Sequence, residues 1–104
     1  MAITPDVRAD AIARRLSEEL ARAEGAVLGL WLTMPRGVLT FWVLTRPIDL
    51  ETQQRLYERT AVIYECFPNA EFVVHILNPE WYEGGDAAGA LPPDAQPIPL
   101  PAAR

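Results

Sequence analysis

The side chains that could do chemistry are few and far apart. His75 is the only histidine, Cys66 the only cysteine and Ser17 the only serine. A single His with no Cys pair at metal spacing does not make a zinc site. His75 is therefore read either as a pH-sensitive or metal-binding group or as a partly buried His with a satisfied hydrogen bond. Cys66 stands at a helix end beside Phe67 and Pro68. It is read as a half-buried structural thiol rather than a nucleophile. Ser17 is expected to face outward on the first helix. Glu80, Glu83 and Asp86 cluster after the last strand and are read as a cation site or as solubilising charges. Glu83-Gly84-Gly85-Asp86 lacks the Lys and helix of a phosphate loop, and no Gly-x-Ser-x-Gly or His-Glu-x-x-His stretch exists. The sequence calls for no cofactor and no catalysis.

Composition narrows the partners. The net charge of −5 comes from 14 acidic and 9 basic residues, all nine of them Arg. Without a basic face, nucleic acid and anionic membrane are not expected as partners. The lack of Lys, with much Ala, Pro and Gly, reads as a GC-rich bacterial composition. No apolar run reaches the roughly 18–20 residues of a membrane span, and the first residues have no signal-peptide pattern. A cytoplasmic location is expected. Half of the 104 residues are hydrophobic, which is high for one small domain with much surface.

The elements that must position these groups run α-β-β-α-β. The first helix is predicted over about 5–24, with Thr4 as N-cap, Pro5 in its first turn, Asp6 at the positive end and Gly25 as stop. Ala9, Ile12, Leu16, Leu20 and Ala23 form its apolar stripe. Asp10–Arg14, Arg14–Glu18, Arg15–Glu19 and Glu18–Arg22 are candidate i,i+4 pairs on its other face. Strands over 27–33 and 38–45 flank a four-residue turn, Met34 to Gly37. Asp49 caps a second helix over 50–66 with Leu56, Thr60, Ile63 and Phe67 inward, flanked by Tyr57, Ala61 and Tyr64, and Phe67-Pro68 ends it. A third strand follows over 70–77. The expected fold is α+β, a two-layer sandwich with a three-stranded sheet and two helices on one face. Residues 1–78 form this domain. Residues 79–104 carry six of the ten Pro and three of the six Gly and are expected as a partly docked tail without regular structure.

Alternation sorts the strands into two faces. Leu28, Leu30, Leu32, Leu39, Phe41, Val43, Phe72, Val74 and Ile76 are assigned to the core. Val27, Gly29, Trp31, Thr33, Val38, Thr40, Trp42, Leu44, Glu71, Val73, His75 and Leu77 fall on the other face. That second face is too apolar for water, and such patches mark interfaces. The expected cover is the same face of a second copy in a homodimer, with Trp31, Trp42, Thr40, Val73 and His75 as interface residues. The alternative is the chain's own Trp81, Tyr82, Ile98 and Leu100 folded back. A ligand pocket between sheet and tail would be lined by Trp31, Trp42 and Trp81.

Two family resemblances follow from the residues. Pro47-Ile48-Asp49-Leu50-Glu51, Phe67-Pro68-Asn69-Ala70 and Val74-His75-Ile76-Leu77-Asn78-Pro79, in this element order, resemble the cytoplasmic domain of cation diffusion facilitator transporters. The resemblance implies an αββαβ fold, dimerisation and a metal-responsive role with His75 as ligand. Asn78 stands where that family has an acid, its other His ligands are missing and no transmembrane part is attached. The same elements also resemble a reduced nucleotidyltransferase-like module of the toxin–antitoxin kind. The family's Gly-Ser loop and paired Asp residues are absent, which implies a catalytically dead module. Together the readings point to a small non-catalytic interaction or regulatory domain.

Overall fold

The computed structural model describes residues 7–23 and 25–100. The expected roles of Thr4, Pro5, Asp6 and Glu24 lie outside the described residues. The elements are α1 (Val7–Ala21), β1 (Val27–Thr33), β2 (Leu39–Thr45), α2 (Leu50–Cys66), β3 (Phe72–Leu77) and β4 (Gln96–Ile98). The class is α+β, with a four-stranded mixed sheet in the order β3-β2-β1-β4 rather than three strands. β1 and β2 are antiparallel, while β2 and β3 are parallel because α2 carries the chain back between them. The predicted tail is not without regular structure. It makes short 3₁₀ turns at Pro79–Trp81, Glu83–Gly85 and Ala88–Ala90, then adds β4 antiparallel to β1.

Both helices cover one face of the sheet. Ile12, Leu16 and Leu20 of α1 and Leu56 and Ile63 of α2 form one buried cluster with Leu30, Phe41, Val43, Phe72 and Val74. Burying an aliphatic or aromatic side chain of this kind stabilises by roughly 1.5–3 kcal/mol each. α2 begins where Asp49 Oδ1 accepts the Thr52 N–H at 2.8 Å. Ser17, expected outward, is buried, and its hydroxyl donates to the Arg14 carbonyl at 2.8 Å. The pairs predicted along α1 give way to one across the helices. Glu19 sits 3.4 Å from Arg59 and 3.9 Å from Arg22.

The strand register explains which face assignments survive. Trp31 lies opposite Trp42 and Thr33 opposite Thr40, so the connection is longer by two residues than a turn closed by Thr33 and Val38. Pro35–Gly37 forms a 3₁₀ turn with Arg36 at φ 54° and Gly37 at φ 80°, the second a conformation suited to glycine. A shift of two keeps every side chain on its predicted face. A bulge between Val27 and Gly29 does not. It adds one residue to β1 and reverses the alternation there. Val27 turns to the core opposite Thr45, and Leu28, assigned to the core, is 54% exposed.

Candidate functional site

The residues expected at an interface do come to one face, in adjacent rows. Pro97, Trp31, Trp42 and His75 form one row across all four strands; Thr33, Thr40 and Val73 form the next. His75 stacks on Trp42 with ring centroids 4.6 Å apart. The Trp42 indole N–H donates to Thr33 Oγ1 at 2.9 Å, and Thr40 Oγ1 donates to the Val38 carbonyl at 3.3 Å. Trp31 lies across Gly29, where a side chain would collide with its ring. His75 is exposed and stacked on Trp42, not partly buried as the alternative expectation had it.

Exposure grades across this face. Thr33, Thr40 and Leu77 are buried, Trp31, Trp42 and Leu44 are half-buried, and Val73 and His75 on β3 are open. Since both helices lie on the other side, the described chain left to cover the β1–β2 half is the stretch between β3 and β4. Its Ala87 is only 1% exposed. Three of the four residues expected to seal the face, Ile98, Leu100 and Trp81, are elsewhere. Ile98 and Leu100 pack into the helix-side core. Trp81 is 60% exposed, and its indole N–H donates to Gln53 Oε1 on α2 at 2.7 Å. The speculative pocket is thus divided, because Trp81 is held by the helix layer and not over Trp31 and Trp42.

On the other side of the sheet, α2 also carries an uncharged exposed strip. Leu50, Tyr57, Ala61 and Tyr64 follow one another at helical spacing and are all exposed, with no charged residue among them. Tyr64 bends this strip to the sheet edge. Its ring stacks on Phe72 with centroids 4.3 Å apart, and its hydroxyl accepts the Val74 N–H at 3.2 Å. Acidic and basic residues, Glu51, Arg55, Glu58 and Arg59, occupy another face of α2. By spacing alone Tyr57, Ala61 and Tyr64 are only flanks of the inner stripe. Their lack of charge over four turns was the available signal.

One residue was missed outright. Asn78 is fully buried at the end of β3. Its amide donates to the Ile48 carbonyl at 2.9 Å and to Gln53 Oε1 at 3.0 Å. Its Oδ1 accepts the N–H groups of Ile48 and Glu80, both at 3.2 Å. It ties the approach to α2 to the end of β3 and, through Gln53, to Trp81.

The other chemical candidates stand apart. Cys66 is exposed, not half-buried. Glu80, Glu83 and Asp86 are exposed, and Asp86 accepts the Gly89 N–H at 3.0 Å. Among the described residues no three His, Cys, Asp or Glu side chains gather as a metal site, and no described helix is long and apolar enough to cross a membrane. The Thr52 side-chain and backbone hydrogen bonds hold the Asp49 carboxyl below its ordinary range. Compared with protein-family models, curated proteins and solved structures, the chain matches none.

Proposed function

We propose that this chain is a non-catalytic interaction or regulatory module that works as a homodimer. What supports the reading is the set of uncharged exposed residues on either side of the β3 edge: Val73 and His75 on the outer face of β3, and Tyr64, Tyr57, Ala61 and Leu50 along α2, with Glu71 the exposed charge just before β3. Each copy carries a net charge of −5. Two such bodies repel at long range, and a flank with few charges is where they can meet with the fewest opposing carboxylates. Tyrosine and a stacked Trp42–His75 pair suit such a contact, since they bury large area with few rotors. Of the residues first expected at the interface, Val73 and His75 are its open members. Thr40, Trp31 and Trp42 form the layer behind them.

Sedimentation and light scattering at micromolar concentration test the reading. The expected mass is twice the 11.6 kDa of the chain. Val73→Arg and Tyr57→Arg, both at exposed positions, should return the monomer without unfolding it. A wild-type chain that stays at 11.6 kDa over the whole concentration range overturns the proposal. So does a dimer that neither substitution weakens.

A further inference from the structure

We infer a second site, one that binds a small phosphate-type oxyanion between the two helices. Arg22, Ala23 and Ala26, after α1, and Thr52, Arg55, Leu56 and Arg59, along the first turns of α2, line an open cleft of about 150 Å³. Three of the nine arginines of an acidic chain converge there. Their carboxylate partners leave them with spare donors. Arg55 Nη2 meets Glu51 Oε1 at 2.7 Å, but both side chains are largely exposed, so that pair contributes little. Arg59 Nη1 and Arg22 Nη1 share one carboxylate, Glu19, at 3.4 and 3.9 Å through its two oxygens.

A guanidinium has five N–H donors in a rigid fork. Among the described residues each of the three guanidinium groups meets a carboxylate through a single Nη, which leaves the rest of its fork for another acceptor. Leu56 is buried and, with Ala23 and Ala26, makes an apolar floor. The volume suits a group the size of phosphate. Arginine recognises phosphate through paired, charge-assisted hydrogen bonds, which tetrahedral oxygens match better than a single carboxylate does. Glu19 is the competitor built into the site. It is nearly buried, at 12% side-chain exposure, and holds Arg59 and Arg22 in position while the cleft is free. The site is independent of the dimer surface.

The test is isothermal titration of the full chain with orthophosphate, at ionic strength held constant with chloride. A phosphomonoester, glycerol 3-phosphate, runs as a parallel arm. Saturable binding is expected. Arg55→Gln and Arg59→Gln should each weaken it roughly tenfold, as the loss of one charge-assisted hydrogen bond requires. Glu19→Gln should tighten it, because the competing carboxylate is gone; a merely structural role for Glu19 would not do this. Binding of orthophosphate alone assigns the site to the free ion, and binding of both assigns it to the phosphate group of a small metabolite. No saturable heat with either anion overturns the inference. Equal binding by wild type and both arginine variants overturns it too.

Discussion

The indole of Trp31 lies across Gly29 so closely that a Cβ on the glycine would sit 2.5 Å from the ring. The bare backbone of residue 29 is the space the ring occupies, and the bulge beside it turns Leu28 outward. Gly29→Ala forces the indole to swing off β1, and overpacking of this kind costs about 1–3 kcal/mol. Trp31→Leu in the same chain removes the obstacle. The double variant should therefore be more stable than the sum of the single losses predicts. Chemical denaturation of the four chains measures the coupling. Strict additivity would show that ring and glycine do not meet.

Asn78 gives a sharper test, because its two ends are not interchangeable. The amide nitrogen donates to the Ile48 carbonyl and to Gln53 Oε1, while Oδ1 accepts from Ile48 and Glu80. Asn78→Ala leaves these groups without partners and should cost about 2–4 kcal/mol. Asn78→Asp keeps the shape but sets a carboxylate against two acceptors in a buried place. The substituted carboxyl is then easier to protonate folded than unfolded. The damage should be greatest at neutral pH and ease as pH falls, when the acid can donate. Melting curves of the Asp variant across acidic pH check the sign. A loss that does not vary with pH would refute the assigned amide orientation.

Asp49 behaves in the opposite sense. The Thr52 hydrogen bonds hold its carboxyl below the ordinary range. The folded value lies under the unfolded one, so the cap stabilises α2 fully above the ordinary carboxylate range and is lost as pH falls through the lowered value. Asp49→Ala should lower the melting temperature at neutral pH, and the gap to wild type should close in acid. Asp49→Ser, which can still accept the Thr52 N–H, should recover part of the loss without the pH dependence. A gap constant with pH would refute an ionised cap.

These residues also mark what the sequence could and could not disclose. α2 was legible to its ends, because Asp49 and Phe67-Pro68 are local signals acting on neighbouring backbone. The two sheet faces were legible although the hairpin register was not, since a shift of two preserves alternation and only the bulge at Val27 breaks it. β4 was hidden by its own Pro97. Proline argues against a strand in general, yet an edge strand tolerates one where no ladder donor is required. Asn78 was illegible for another reason. Its partners on Ile48 and Gln53 lie 30 and 25 residues away, so nothing nearby distinguishes it from any Asn before a Pro. The proposed interaction surface was half legible. Alternation placed Val73 and His75, but which part of the apolar face the chain covers depends on the path between β3 and β4, and no local pattern dictates that path.

Tyr64 closes the edge that this path leaves open. β3 is an edge strand, and its sequence Phe-Val-Val-His-Ile-Leu has neither Pro nor an acidic or Lys residue to discourage pairing with another strand. The Tyr64 hydroxyl occupies the Val74 N–H, and its ring covers Phe72. Tyr64→Phe keeps the ring and removes one hydrogen bond. It should cost about 1 kcal/mol and speed amide exchange at Val74. Tyr64→Ala removes the ring as well and should expose the edge to strand addition, giving species larger than a dimer by light scattering. If Val74 exchanges as fast in wild type as in Tyr64→Phe, the hydroxyl does not protect the edge. If Tyr64→Ala forms nothing beyond the wild-type assembly, strand addition at β3 is blocked by something other than this side chain.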